Sequence, residues 1–222
     1  MNLEQLIEQF RIDADDMQSP PLWESEWIAA WLTEAQDEAA IRGRLLMDDY
    51  TPALTQIPVT AGVSSYALHP KLYEIAVMDF IPEVGYVQPV YLTSREKLDR
   101  DRNGWRNEPA GFPCSAIQTD TRLRLVPVPS VNGTLRLEAY RLPLKALVND
   151  NDKPEIHEAH HRHLVHWALH RAFSKPDSEA IDPQRAATAE AAFTRYFGLL
   201  PDSDLRRRTR EDVPHVNQGF FP

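Results

Sequence analysis

Six of the chain's eight histidines fall between Pro154 and Phe173, in the run PEIHEAHHRHLVHWALHRAF. Imidazole serves both as a neutral packing group and as the commonest metal ligand. His157-Glu158-Ala159-His160-His161 spells H-E-x-x-H. On a helix this spacing puts two ligating rings on one face, with a carboxylate beside them as general base. A third ligand would have to come from elsewhere, and Glu158 would need an open cleft. His163, His166 and His170 share a further face of the same segment. Two readings follow. One is a metal-dependent hydrolase built on His157, Glu158 and His161. The other is a packing helix whose histidines meet solvent or a neighbouring subunit. The polar residues around the motif, Glu155, His160 and Arg162, favour the second.

Other chemistry-bearing patterns are weaker. Asp99-Arg-Asp101-Arg-Asn103-Gly104 matches the first half of a calcium loop, but position twelve, which should be a bidentate acid, is Ala110. Arg100 and Arg102 add positive charge beside the would-be ion, so a helix-ending polar turn fits better. Cys114 is the only cysteine, which excludes a disulfide framework and any multi-cysteine zinc site and makes a reducing compartment the default. No G-x-S-x-G elbow, P-loop or dinucleotide fingerprint occurs. The cluster Arg206, Arg207, Arg208 and Arg210 is offset by Asp202, Asp204, Glu211 and Asp212 and followed by Phe220-Phe221-Pro222. Arginine and aromatic residues are favoured interface anchors, so this segment reads as an arm that docks on another protein. A nucleic-acid contact through Arg206–Arg210 is the alternative. A net charge of −9 opposes non-specific binding of nucleic acid.

Amphipathic patterns predict the elements that carry these residues. Residues 2–13 read as a short helix on Leu3, Leu6, Ile7 and Phe10. Residues 25–47 read as a longer one, with Ser25 as N-cap and a stripe of Trp27, Ile28, Trp31, Leu32, Ala35, Ala39 and Leu46. From Leu54 to Leu142 short runs alternate between prolines, which number eighteen against eight glycines and imply short, stiff connections. Strands are predicted over 54–59, 65–68, 73–81 and 86–92, then a helix over 93–101 capped by Thr93 or Ser94. Residues 122–128 and 133–142 alternate around Asn132-Gly133 and predict a hairpin. Helices return over 154–174, with Pro154 in the first turn, and over 183–197, between Asp182 as N-cap and Gly198 as C-terminal cap. No apolar run approaches the roughly 20 residues a membrane span needs, and the acidic N-terminal segment does not read as a signal peptide.

The expected fold is mainly α with a β insertion. Residues 1–53 and 150–200 would form an amphipathic helical bundle, 54–149 a β-rich hairpin or small barrel inserted into it, and 201–222 an extended C-terminal arm.

Several segments, in this order and spacing, carry a resemblance. They are Trp23-Glu-Ser-Glu-Trp27 opening an Ala/Glu/Arg-rich helix, Ile57-Pro-Val-Thr-Ala-Gly62 with Tyr66-Ala-Leu68, and Leu125-Val-Pro-Val-Pro129 with Gly133-Thr-Leu-Arg-Leu137. Tyr140-Arg-Leu-Pro143, Pro154-Glu-Ile156 with Trp167-Ala168 and Arg171-Ala172, and Phe193 to Phe197-Gly198 complete them. Over most of its length the chain resembles the head-to-tail adaptor (connector) proteins of tailed bacteriophages. The resemblance implies a structural virion protein in the neck or tail, assembled in the host cytoplasm and without cofactor or catalytic residue. It further implies a ring, usually twelve-fold, beneath the portal protein. Such a ring extends the channel through which double-stranded DNA passes without sequence-specific binding during genome ejection, and offers a platform to tail or nozzle proteins. The portal-docking arm would be residues 201–222, with Arg206, Arg207, Arg208, Arg210, Phe220 and Phe221.

Overall fold

The computed structural model describes residues 1–175 and 181–201. The chain divides into two compact units, one of residues 1–47 and 141–201, the other holding residues 48–140.

The first unit is helical. It contains α1 (Leu3–Ala14), α2 (Ser25–Gly43), α5 (His161–Phe173) and α6 (Pro183–Phe197). Asn2 starts α1 with a complete capping box: its side chain accepts from Gln5 N–H while the Gln5 side chain accepts from the Asn2 N–H. Asp182 caps α6 by accepting from the N–H groups of Gln184 and Arg185, and Pro183 takes the first position. Gly198 closes it at φ 94°, where a side chain is disfavoured. Ser25 does not cap α2; Glu24 holds the cap position without a side-chain bond, and the helix ends at Gly43, four residues before the expected limit, with Arg44 as its C-cap.

One apolar core joins these helices. Leu3, Leu6 and Phe10 of α1 meet Ile28, Leu32, Ala35 and Ala39 of α2 and the inner faces of α5 and α6. Trp23, in the connection between α1 and α2, is edge-on to Phe10 at 5.6 Å and to Phe173 at 5.5 Å. Beneath it, buried Asp16 accepts from Arg11 and from the N–H groups of Leu22 and Trp23, fixing the turn. Trp27 is not part of this stripe. It faces outward, and the Lys175 ammonium sits 3.3 Å from its ring.

The second unit is built on two sheets. Its elements are β1 (Met47–Asp48) at the chain crossing, a helical turn α3 (Pro52–Thr55), β2 (Gln56–Val59), β3 (Ser65–Ala67) and β4 (Leu72–Pro82). After these come β5 (Gln88–Pro89), β6 (Tyr91–Leu92), α4 (Arg95–Asp101), β7 (Ser115–Gln118), β8 (Arg122–Val126) and β9 (Gly133–Arg141). One sheet runs β1-β9-β4-β5, with β2 also on β9; the other runs β3-β8-β7-β6. Their inner faces share a core that includes Ile75, Met78 and Phe80 with Leu123, Leu125, Leu135 and Leu137. Side chains alternate across a strand, so Ile117 and Val126 point the other way. There they meet Leu98 of α4 and Trp105.

Three expectations are corrected. The chain is mixed α/β rather than mainly α, and both described sheets are open, so the small barrel is absent. The hairpin at Asn132-Gly133 does not form. β8 pairs with β3 and β7, whereas β9 pairs into the other sheet. Gly133 is used for close approach: a Cβ there would lie 2.5 Å from the Ile81 carbonyl oxygen and 2.7 Å from the Phe80 ring. Finally, the strand expected over 54–59 begins as α3. Pro52 suits a first helical turn, and Asp48 accepts from the N–H groups of Tyr50 and Thr51 just before it.

A side chain completes the edge of β4. The Gln118 amide donates to the Tyr73 carbonyl at 3.0 Å and accepts from the Ile75 N–H at 3.1 Å. It supplies both partners that a neighbouring strand would have offered.

Candidate functional site

The histidine segment is two pieces. Glu158–His160 is a single 3-10 turn and α5 starts at His161. His157 is the N-cap residue of that turn, its Nδ1 accepting from the Ala159 N–H at 3.2 Å. His161 is buried, and both its ring nitrogens are engaged. Nε2 lies 2.9 Å from the Ile156 carbonyl oxygen, which can only accept, so Nε2 carries the proton of that bond. Nδ1 lies 2.9 Å from the Met1 amino nitrogen and 3.0 Å from the Met1 carbonyl oxygen. The H-E-x-x-H spelling therefore does not place His157 and His161 on one helical face, and His161 has no lone pair directed at a cleft. Among the described residues no three His, Cys, Asp or Glu side chains converge on a metal position.

The remaining histidines pack on α6, where solvent or a neighbouring subunit was expected. α5 and α6 run antiparallel. His170 Nδ1 lies 3.2 Å from the Ala186 carbonyl oxygen near one end, the Trp167 and Phe193 rings meet tilted at 5.1 Å in the middle, and His163 lies on Tyr196 at the other. The His163 and Tyr196 rings are 3.5 Å apart and nearly parallel. His160 meets the Tyr196 hydroxyl at 3.1 Å and the Phe197 ring at 6.0 Å. Burial holds the imidazoles of His160, His163 and His166 below their ordinary values, and neighbouring positive groups add to this. Arg42 of α2 locks the middle of the pair. Its guanidinium stands 5.1 Å from the Trp167 ring and 5.2 Å from Phe193, while donating to Glu38 and Thr194.

The half-match to a calcium loop is likewise consumed internally. Asp99 accepts from the Trp105 indole at 2.7 Å and from both terminal nitrogens of Arg106. Those bonds, Arg106 first, pull its carboxyl down to about 2. Asp101 is held low by Arg100 and Lys97. Arg106 and Arg124 also stand at 4.4 and 4.9 Å from the Trp105 ring. These carboxylates face guanidinium groups rather than a shared cation position. Cys114 is exposed, with Arg102 Nη1 3.4 Å from its sulfur.

Arg206, Arg207, Arg208, Arg210, Phe220 and Phe221, the expected docking arm, lie outside the described residues. Within them the most exposed large apolar side chains of the β unit fall on the turn from β4 to β5. Tyr86 is 90% exposed and Val84 82%. The strand expected over 86–92 is thus short, because Tyr86 and Val87 belong to this turn; the sequence marks it by Gly85, which sits at φ 125° between Val84 and Tyr86.

Neither polar cluster is thus built to perform a reaction, and recognition must come from the chain as a whole. The family described as SU10 adaptor protein matches residues 1–216. The chain belongs to the SU10 adaptor family. This is a family of phage head-to-tail adaptors, and the match covers both units. No curated protein matches the chain. Membership makes this adaptor a structural phage protein of the virion neck, in a family associated with portal and tail proteins. No described helix is long and apolar enough to cross a membrane.

Proposed function

We propose that this adaptor assembles as a ring, twelve-fold, beneath the portal. It extends the channel through which the genome is packaged and ejected, and it gives the tail or nozzle proteins their platform. Membership of the adaptor family across residues 1–216 is the observation that carries this reading. In it the helical residues form one bundle and the β-rich stretch is an insertion in its sequence. Ring closure needs a heterologous interface, in which each subunit offers two different surfaces to its two neighbours. Large exposed apolar side chains on both units suit that requirement: Val84, Tyr86 and Val87 on the β unit, Met17 and Leu199 on the helical one.

The segment 201–222 docks on the portal in this reading. Arg206, Arg207, Arg208 and Arg210 supply charged anchors, and Phe220 and Phe221 supply apolar ones. A net charge of −9 suits a wall along which DNA slides, because like charge discourages sticking; a lumen lined mainly by Lys and Arg would contradict this. Size-exclusion of the adaptor mixed with its cognate portal tests the arm. The full chain should co-elute with the portal, and a chain lacking residues 201–222 should keep its circular dichroism spectrum but elute alone. Retained co-elution of the truncated chain would remove the arm from the docking surface.

A further inference from the structure

The histidine cluster is unused by the adaptor role, and its placement is specific. α6 is the last described element before residues 202–222, and its final turn is held by the segment that carries most of the imidazoles. Tyr196 is the centre of that contact. One face of its ring lies on His163 at 3.5 Å, His160 packs edge-on at 5.8 Å, and its hydroxyl sits between His160 Nδ1 at 3.1 Å and the Ala159 carbonyl oxygen at 3.4 Å. Phe197 beside it closes on the His160 ring and on Phe193.

We propose that His160 and His163 form a proton-operated clasp on Tyr196, closed while both rings are neutral and open when both are charged, which fixes or frees the C-terminal end of α6.

The charges around the clasp decide its direction. On its own segment, Arg162 acts against a charge on His163, and His157 and His161 act against one on His160, with Glu158 the acid next to them. From α6 comes Arg195, which acts against a charged His166. The two acids that oppose this trend sit away from Tyr196. Asp13 of α1 pairs with Arg162 at 2.8 Å and favours a charged His166, while Glu190 of α6 lies 4.0 Å from His170. From α2, Glu34 pairs with Arg171 and Arg42 covers Trp167, both further along α5. A cation over a phenol face is attractive, which alone would favour charging His163. Against it stand burial, first, and then the positive charges of Arg162 and His160, which lower the proton affinity of His163 in the folded chain. A group whose folded value is depressed in this way stabilises the closed form above 6.5, the ordinary histidine value, and loses that contribution as pH falls.

Hydrogen exchange of the full chain, corrected for the intrinsic rate at each pH, tests the clasp. Between about pH 7.5 and about pH 5, protection of residues 193–198 should fall by roughly tenfold, a change in local opening that exchange resolves, in the direction set by the lowered proton affinity of His160 and His163. Residues 32–39 in α2 should hold theirs, and in a His160→Gln/His163→Gln chain the drop should vanish. Equal protection at both pH values, an equal drop in α2, or a drop that survives the double substitution would overturn the proposal. Should the double variant not fold, the His163 ring titration followed by NMR in the unaltered chain decides: a midpoint below 6.5 is expected, and one at or above it contradicts the clasp.

Discussion

Each unit is held together internally by a different chemistry. In the helical unit aromatic and imidazole rings join the aliphatic side chains in the contacts between elements: Phe10, Trp23 and Phe173 in one edge-to-face chain, and His163, Tyr196, Trp167 and Phe193 along the α5–α6 seam. In the β unit the apolar core is aliphatic apart from Phe80, and the rim is fixed by carboxylate–guanidinium pairs such as Asp99–Arg106, Arg102–Glu108 and Arg136–Asp79. Five of the chain's histidines line the first unit's 3-10 turn and α5, from His160 to His170. The imidazoles held low by burial, those of His160, His163 and His166, thus lie in the helical unit, whereas in the β unit the Asp99 carboxyl is drawn down to about 2, first by its bonds to Arg106.

The contrast can be broken first at Trp23. Trp23→Ala removes a side chain that is 2% exposed and touches both Phe10 and Phe173. It should cost about 3–5 kcal/mol, read by chemical denaturation, with loss of exchange protection concentrated in α1, α2 and α5. A loss confined to about 1 kcal/mol would mean the aromatic chain is not what joins those helices. Next comes Gly133→Ala in the β unit. The added methyl meets the Ile81 carbonyl and the Phe80 ring, and overpacking of this kind costs about 1–3 kcal/mol. The same assay should show the loss in β4 and β9, and an unchanged midpoint would refute the close approach.

The smallest effect concerns Asp99. Its carboxyl should titrate at about 2 by NMR and return towards the ordinary carboxylate value in Arg106→Ala. Because the folded value is depressed, the pair contributes above the ordinary value of about 3.9 and its contribution is lost as pH falls towards about 2. A midpoint near the ordinary value in the unaltered chain would show that the ion pair does not hold in solution.

The parts legible in the sequence were those specified locally. α6 lies between its capping Asp182, Pro183 at the first position and Gly198 at the end, and the observed helix spans those limits. α1 and β9 also follow from their own periodicity. What escaped was set by distant partners. Asn132-Gly133 has the spelling of a hairpin, but its glycine answers to β4, some fifty residues earlier, so the two flanking strands enter different sheets. β7 carries buried Ala116 and Ile117 on opposite faces, one towards each core, and so shows no alternation to read. The histidine run drew attention for its short motif. Its actual role depends on Tyr196, thirty-six residues from His160, and on the Met1 and Ile156 backbone that occupies His161. Family membership was legible in the order of segments although no single segment was distinctive, and it now rests on a match to residues 1–216.

The central claim is that this adaptor works as a closed ring on the portal, and native mass spectrometry of the two purified proteins mixed together tests it most directly. A complex carrying about twelve adaptor copies on one portal ring is the result predicted by cyclic closure. An adaptor that remains monomeric, with the portal ring at its own mass, would contradict it.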